Sequence, residues 1–136
     1  MALSPFVLKG TFQRAKIITK NLFLSGLTAE SVADALTASA TQTRVGGLAL
    51  TKAWNRFTTV GVSGNAATLP NLSIGQSCIV VNDGANPMKV FPYSATGVID
   101  AAGAGNSVTL TNAKRCRFTM VAANTIISTQ LGATSA

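Results

Sequence analysis

The chain has 136 residues, a length that fits one domain around one core. Apolar residues make up 47% and charged residues only 11%, so a core can be filled and the surface is covered mainly by Thr, Ser, Asn, Gln, Ala and Gly. The charge is basic, +7, but no run of five or six cations occurs, which argues against a tail that coats nucleic acid.

Residues 1–27 read as an extended N-terminal arm. Phe6, Val7, Leu8, Phe12, Ile17, Ile18, Leu22, Phe23, Leu24 and Leu27 are apolar without a sustained period. Lys9, Arg14, Lys16 and Lys20 are interleaved with them, and Pro5, Gly10 and Gly26 break any long helix. A strand near Ala15–Thr19 fits this stretch. Ordering such an arm costs roughly 1–2 kcal/mol per residue, so it is expected to order only where a partner covers it. The start lacks a basic n-region, and Lys9 interrupts its apolar stretch, so no secretory signal is expected. No run approaches the roughly 20 apolar residues of a membrane helix, and no membrane partner is expected.

Residues 28–136 are expected to form a single β-sandwich domain. It opens with one short helix over 28–38. Thr28 suits the N-cap, Glu30 and Asp34 suit the first turns, and Val32, Ala35 and Leu36 share a helical face. From residue 41 the vocabulary changes to Val, Ile, Thr and Phe in short runs, punctuated by Gly, Pro, Asn and Asp. The expected strands are Leu48–Thr51, Phe57–Val62, Ala67–Leu69, Ser77–Val81, Met88–Phe91, Val98–Asp100, Ser107–Thr111, Arg115–Val121 and Thr125–Gln130. Such spacing predicts a mainly β fold, an antiparallel sandwich or jelly roll from about residue 45 to 131. No internal repeat of fixed period is visible. Asn82-Asp83-Gly84 reads as a turn needing positive φ, and Arg44-Val45-Gly46-Gly47 as a bend or bulge.

Strand parity assigns the core. Val60, Val62, Val80, Val90, Leu110, Cys116, Phe118 and Met120 point inward, while Arg115, Arg117 and Thr119 point outward. Trp54, in Ala53-Trp54-Asn55-Arg56-Phe57, suits an interface anchor or the sandwich core equally well.

The chemistry-bearing residues are few. There is no histidine, and only Glu30, Asp34, Asp83 and Asp100 are acidic. General acid–base catalysis lacks its usual group, and no phosphate loop, calcium loop or dinucleotide fingerprint occurs. Cys78 and Cys116 have no metal-ligand spacing and read as buried free thiols, with a disulfide as the alternative. The expectation is a non-enzyme without metal or cofactor. Arg115, Arg117 and Lys114 with Phe91 and Tyr93 sketch a nucleic-acid face, but aromatic content is only 6%.

Several segments resemble a known pattern. They are Asp34-Ala35-Leu36-Thr37-Ala38, Thr41-Gln42-Thr43, Ala49-Leu50-Thr51, Asn55-Arg56-Phe57-Thr58-Thr59-Val60 and Ala67-Thr68-Leu69-Pro70. Gly75, Val80-Val81-Asn82-Asp83-Gly84-Ala85, Val90-Phe91-Pro92 and Asn124 continue the set. Over residues 34–125 the chain resembles the head decoration, or capsid cement, proteins of tailed phages. The resemblance implies a jelly-roll-like virion protein on the capsid exterior, made in the bacterial cytoplasm. Its partner would be the major capsid protein of the same virion. It would act as a homodimer, or alternatively a homotrimer, tying capsomers together. Lys9, Arg14, Lys16 and Lys20 would then face acidic shell patches, Phe12 and Trp54 would be apolar anchors, and Arg56 would join that interface. The alternatives are a fibre or tail component that binds a receptor or sugar, for which Trp54 and Tyr93 are the candidate aromatics, and a nucleic-acid-binding β-barrel.

Overall fold

The computed structural model describes residues 29–132, and all of its regular structure is β. The expected arm, 1–27, lies outside the described residues. The strands are β1 (Val32–Thr37), β2 (Leu48–Ala49), β3 (Trp54–Thr59), β4 (Ala66–Thr68), β5 (Ser77–Asn82), β6 (Met88–Phe91), β7 (Val98–Ile99), β8 (Val108–Leu110), β9 (Lys114–Ala122) and β10 (Thr125–Leu131).

They form two sheets, one of six strands in the order β1-β3-β5-β9-β10-β7 and one of four in the order β2-β4-β6-β8. The chain visits the larger sheet, crosses to the smaller, and returns one position along. β1, β3 and β5 therefore lie parallel in one sheet, and β2, β4 and β6 lie parallel in the other. Val32 stands beside Trp54, which stands beside Ile79; Leu48 stands beside Ala67, which stands beside Val90. This is a stack of coils resembling a β-solenoid, each coil roughly 20 residues long. The coils differ in length, so no fixed repeat shows in the sequence.

After β6 the direction reverses. β8 runs antiparallel to β6, β9 runs antiparallel to β5 and β10 to β9, while β7 adds a parallel edge to β10. The last four strands thus close one end of the coil stack. The antiparallel sandwich and the jelly roll are corrected here: five strand pairs are parallel and three antiparallel. Period-two alternation is the same for both kinds of pairing, so it could not separate them.

The expected helix over 28–38 is corrected too. Val32–Thr37 is a strand whose pairing jumps between Ala33 and Leu36. Asp34 and Ala35 together oppose Arg56, and Ala35 has φ 55°. An extra residue in the strand brings Ala33 and Leu36, three apart, to the same inward face. That spacing mimics a helical period, but Val32 and Ala35, which the helical reading puts on one face with Leu36, are exposed.

The core fills the space between the sheets. Phe57, Cys78, Val80, Cys116, Phe118 and Ile126 of the large sheet meet Ala67, Met88, Val90 and Leu110 of the small one, with Leu50, Val60 and Leu69 at the corners. Of the eight expected core residues, six are buried and Met120 is half-buried against the cluster. Val62 is the exception, 56% exposed. β3 ends at Thr59, so strand parity does not extend to it. Both cysteines are buried and free. Burial pushes the Cys78 thiol up to about 12 and raises Cys116 as well.

Asparagines join successive coils at the corners. The Asn82 side-chain amide donates to the carbonyls of Asn86 and Leu110, each at 3.0 Å, and its oxygen accepts the Gly84 N–H at 3.0 Å. Asn86 in turn donates to the carbonyls of Val60 at 2.8 Å and Gly61 at 3.1 Å, one coil away. The turn at Asn82-Asp83-Gly84 exists, but neither Asp83 nor Gly84 has positive φ. Gly84 is needed for space: a Cβ there would lie 2.7 Å from the Val60 backbone nitrogen.

Candidate functional site

The outward face of the six-stranded sheet gathers the charged and aromatic residues singled out in the sequence. Alternation along β3 sends Asn55 and Phe57 inward and leaves Trp54 and Arg56 outward. Register does the rest. Trp54, Ile79, Arg117 and Thr129 form one row across β3, β5, β9 and β10, and Arg56, Val81, Arg115 and Leu131 form the next. Val32 extends the first row and is 61% exposed. Val32, Trp54, Val81 and Arg115, with Arg56, Asp34 and Asp83, surround an open depression of about 520 Å³.

Arg56 is held from both sides. Its Nε donates to Asp83 Oδ2 at 2.6 Å, and its Nη1 donates to Asp34 Oδ1 at 3.1 Å. The bulge in β1 sets Asp34 opposite Arg56, and the turn after β5 brings up Asp83. The Ala35 backbone N–H, and then the Arg56 guanidinium, hold the Asp34 carboxyl below its ordinary value. Trp54 is fixed as well, its indole N–H donating to a Glu30 carboxylate oxygen and its backbone N–H to the Ser31 carbonyl at 3.0 Å. Trp54, Arg56, Asp34 and Asp83 are therefore pre-positioned around the depression.

All four carboxylate side chains have internal partners. Besides Glu30, Asp34 and Asp83, Asp100 accepts the Ser128 N–H at 2.9 Å and the Ser128 hydroxyl at 2.5 Å. Among the described residues, the only ion pairs are those of Arg56. Arg115 and Arg117 carry no carboxylate partner among them.

Of the candidate interface residues, the structure brings Trp54 and Arg56 together on one face. Lys9, Phe12, Arg14, Lys16 and Lys20 lie outside the described residues. Trp54 is half-buried on the outward side, which decides between its two readings in favour of the surface. Sequence reasoning missed Val32, Val81, Asp34 and Asp83 as neighbours of Arg56. Val81 was legible, since it shares parity with Ile79 on β5. The two aspartates are not legible this way, because Asp34 lies in a stretch with helical spacing and Asp83 in a turn.

A second exposed aromatic, Tyr93, is 54% exposed. It stands between a depression of about 570 Å³, reaching Arg44 and Thr68, and a smaller one of about 140 Å³ lined by Asn71, Ser94 and Asn124. Arg44 Nη1 donates to the Tyr93 carbonyl at 2.7 Å and fixes its backbone. The Phe91 ring is buried, and Lys114 is half-buried. The two therefore do not extend Arg115 and Arg117 into a stacking platform. No protein-family model, curated protein or solved structure matches this chain.

Proposed function

We propose that this is a non-catalytic structural protein of a phage virion, which binds the outside of the capsid and cements adjacent capsomers. The observation that carries the reading is the outward sheet face, apolar at Val32, Trp54 and Val81 and edged by Arg115 and by Arg56, the latter held in place by Asp34 and Asp83. Faces of this composition, with Trp and Arg at the centre, suit protein association. The carboxylates support it too, since each is engaged in a structural hydrogen bond rather than poised for proton transfer. The resemblance over residues 34–125 supplies the capsid as partner.

In this reading the partner is the major capsid protein, and the chain acts as a homodimer, with a homotrimer as the alternative. A clamp across two capsomers resists their separation without chemistry. Even a contact of about micromolar affinity becomes durable when one oligomer holds two sites. The test compares particles assembled with and without the protein under heat or osmotic shock. Particles with it are expected to survive longer, and purified protein is expected to add back to bare shells. Equal fragility, with no add-back, would remove the reading.

The exposed Tyr93 favours a second reading, a fibre or tail component that binds sugar, because an aromatic face beside Asn71, Ser94 and Asn124 amides and hydroxyls suits a hexose. Glycan binding lost in Tyr93→Ala would support it, and a wild-type chain inert toward glycans would end it.

A further inference from the structure

We propose that the depression on the six-stranded sheet docks an acidic loop of a partner protein, an apolar side chain entering beside Trp54 and Val81 while a carboxylate pairs with Arg115. The identity of that partner as capsid protein rests on the cement reading; the docking chemistry does not. Three observations argue for an acidic partner. The apolar surface in the depression comes from Val32, Trp54 and Val81. Arg115 lines it, and Arg117 stands in the adjoining row; neither has a carboxylate partner among the described residues. Arg56, across Val81 from Arg115, has its Nε and Nη1 occupied by Asp83 and Asp34, so its head is fixed while its second amino group stays available.

The same bonding pattern disfavours two other occupants. A second copy carries the same net charge of +7, and its four acidic side chains are engaged in the same internal contacts. A nucleic-acid strand would bring phosphates against Asp34 and Asp83, which line the depression, and would find one aromatic ring there rather than the several that stack successive bases. A protein loop needs to bring only one carboxylate, which can go to Arg115 rather than to the end where Asp34 and Asp83 hold Arg56, and Arg115 can receive it bidentately.

Trp54 is the only tryptophan in the chain, so its emission reports directly on the depression. The full-length protein is titrated with bare capsid shells, with a synthetic peptide alternating Glu and Leu, and with a single-stranded oligonucleotide. Shells and peptide are expected to shift Trp54 emission. Arg115→Glu is expected to weaken both by about tenfold or more, and Arg115→Gln by less, since a like charge repels where a neutral amide only fails to attract. Lys89→Glu makes the same charge change on β6 of the other sheet and is expected to stay within about twofold of wild type. Thermal midpoints of all variants check that folding is unchanged.

Equal weakening by Lys89→Glu and Arg115→Glu would overturn the proposal, since only diffuse charge would then be at work. So would an oligonucleotide that shifts Trp54 at lower concentration than the peptide, or an emission change on self-association. Shells that bind without moving Trp54 would leave the cement reading standing and end the docking face. A peptide that binds through Arg115 while shells do not would support the face and end the cement reading.

Discussion

On β3, β5 and β9 the inward side chains include Asn55, Phe57, Cys78, Val80, Asn82, Cys116 and Phe118, all buried, and Met120, half-buried. The outward ones include Trp54, Arg56, Val81, Arg115 and Arg117, all exposed or half-buried, and Ile79, which is buried. The backbone is shared, so the two faces differ only through alternation. Inward, the polar groups include the amides of Asn55 and Asn82, hydrogen-bonded to the backbone of their own turns and of adjacent strands. Outward, they are ions: Arg56, paired with Asp34 on β1 and with Asp83 in the turn after β5, and Arg115 and Arg117 without a carboxylate partner among the described residues. One set of strands therefore specifies the fold on one side and offers a rigid, pre-arranged surface on the other. Changes on the first face should act on stability, and changes on the second on association.

The largest expected effect is inward. Phe118→Ala removes a ring that is 1% exposed and should cost about 3–5 kcal/mol in urea denaturation. A cost near that of a surface change would erase the distinction between the faces. Asn82→Ala follows. It strands the carbonyls of Asn86 and Leu110 and the Gly84 N–H, and should cost about 2–3 kcal/mol. Gly84→Ala places a methyl group against the Val60 backbone and should cost about 1–3 kcal/mol by overpacking. Backbone amide exchange at position 84 is expected to be faster in both variants than in the wild type.

Cys78 sharpens the contrast with pH. Its thiol is raised from 9.0 to about 12 by burial, so the fold holds the neutral form. That contribution is full below pH 9 and is lost as pH rises from about 9 toward 12. The native protein is expected to react slowly with thiol reagents at pH 8, and Cys78→Ser should flatten the alkaline fall in stability. Rapid labelling of native Cys78 at pH 8 would show that the inward face opens. The smallest expected effect is outward: Arg117→Glu should change stability by no more than about 0.5 kcal/mol, measured in the same urea series.

Period-two alternation, β-branched runs and turn residues are local properties, and they placed nine strands close to where they occur. Met88–Phe91 matches end to end, and most others match within a residue or two. The same alternation put Cys116 and Phe118 inside and Arg115 and Arg117 outside. Strand direction is not local. β1, β3 and β5 run parallel because the chain crosses to the second sheet between them, and nothing in the alternation of Trp54–Thr59 or Ser77–Asn82 records that crossing. The Asp34–Ala35 bulge was hidden for a related reason, since one inserted residue turns a strand's period into a helix-like spacing that only pairing with β3 reveals. The Arg56 cluster depended on both. Its carboxylates lie at Asp34 and Asp83, far apart in sequence, and only the stacking of successive coils brings them to one guanidinium.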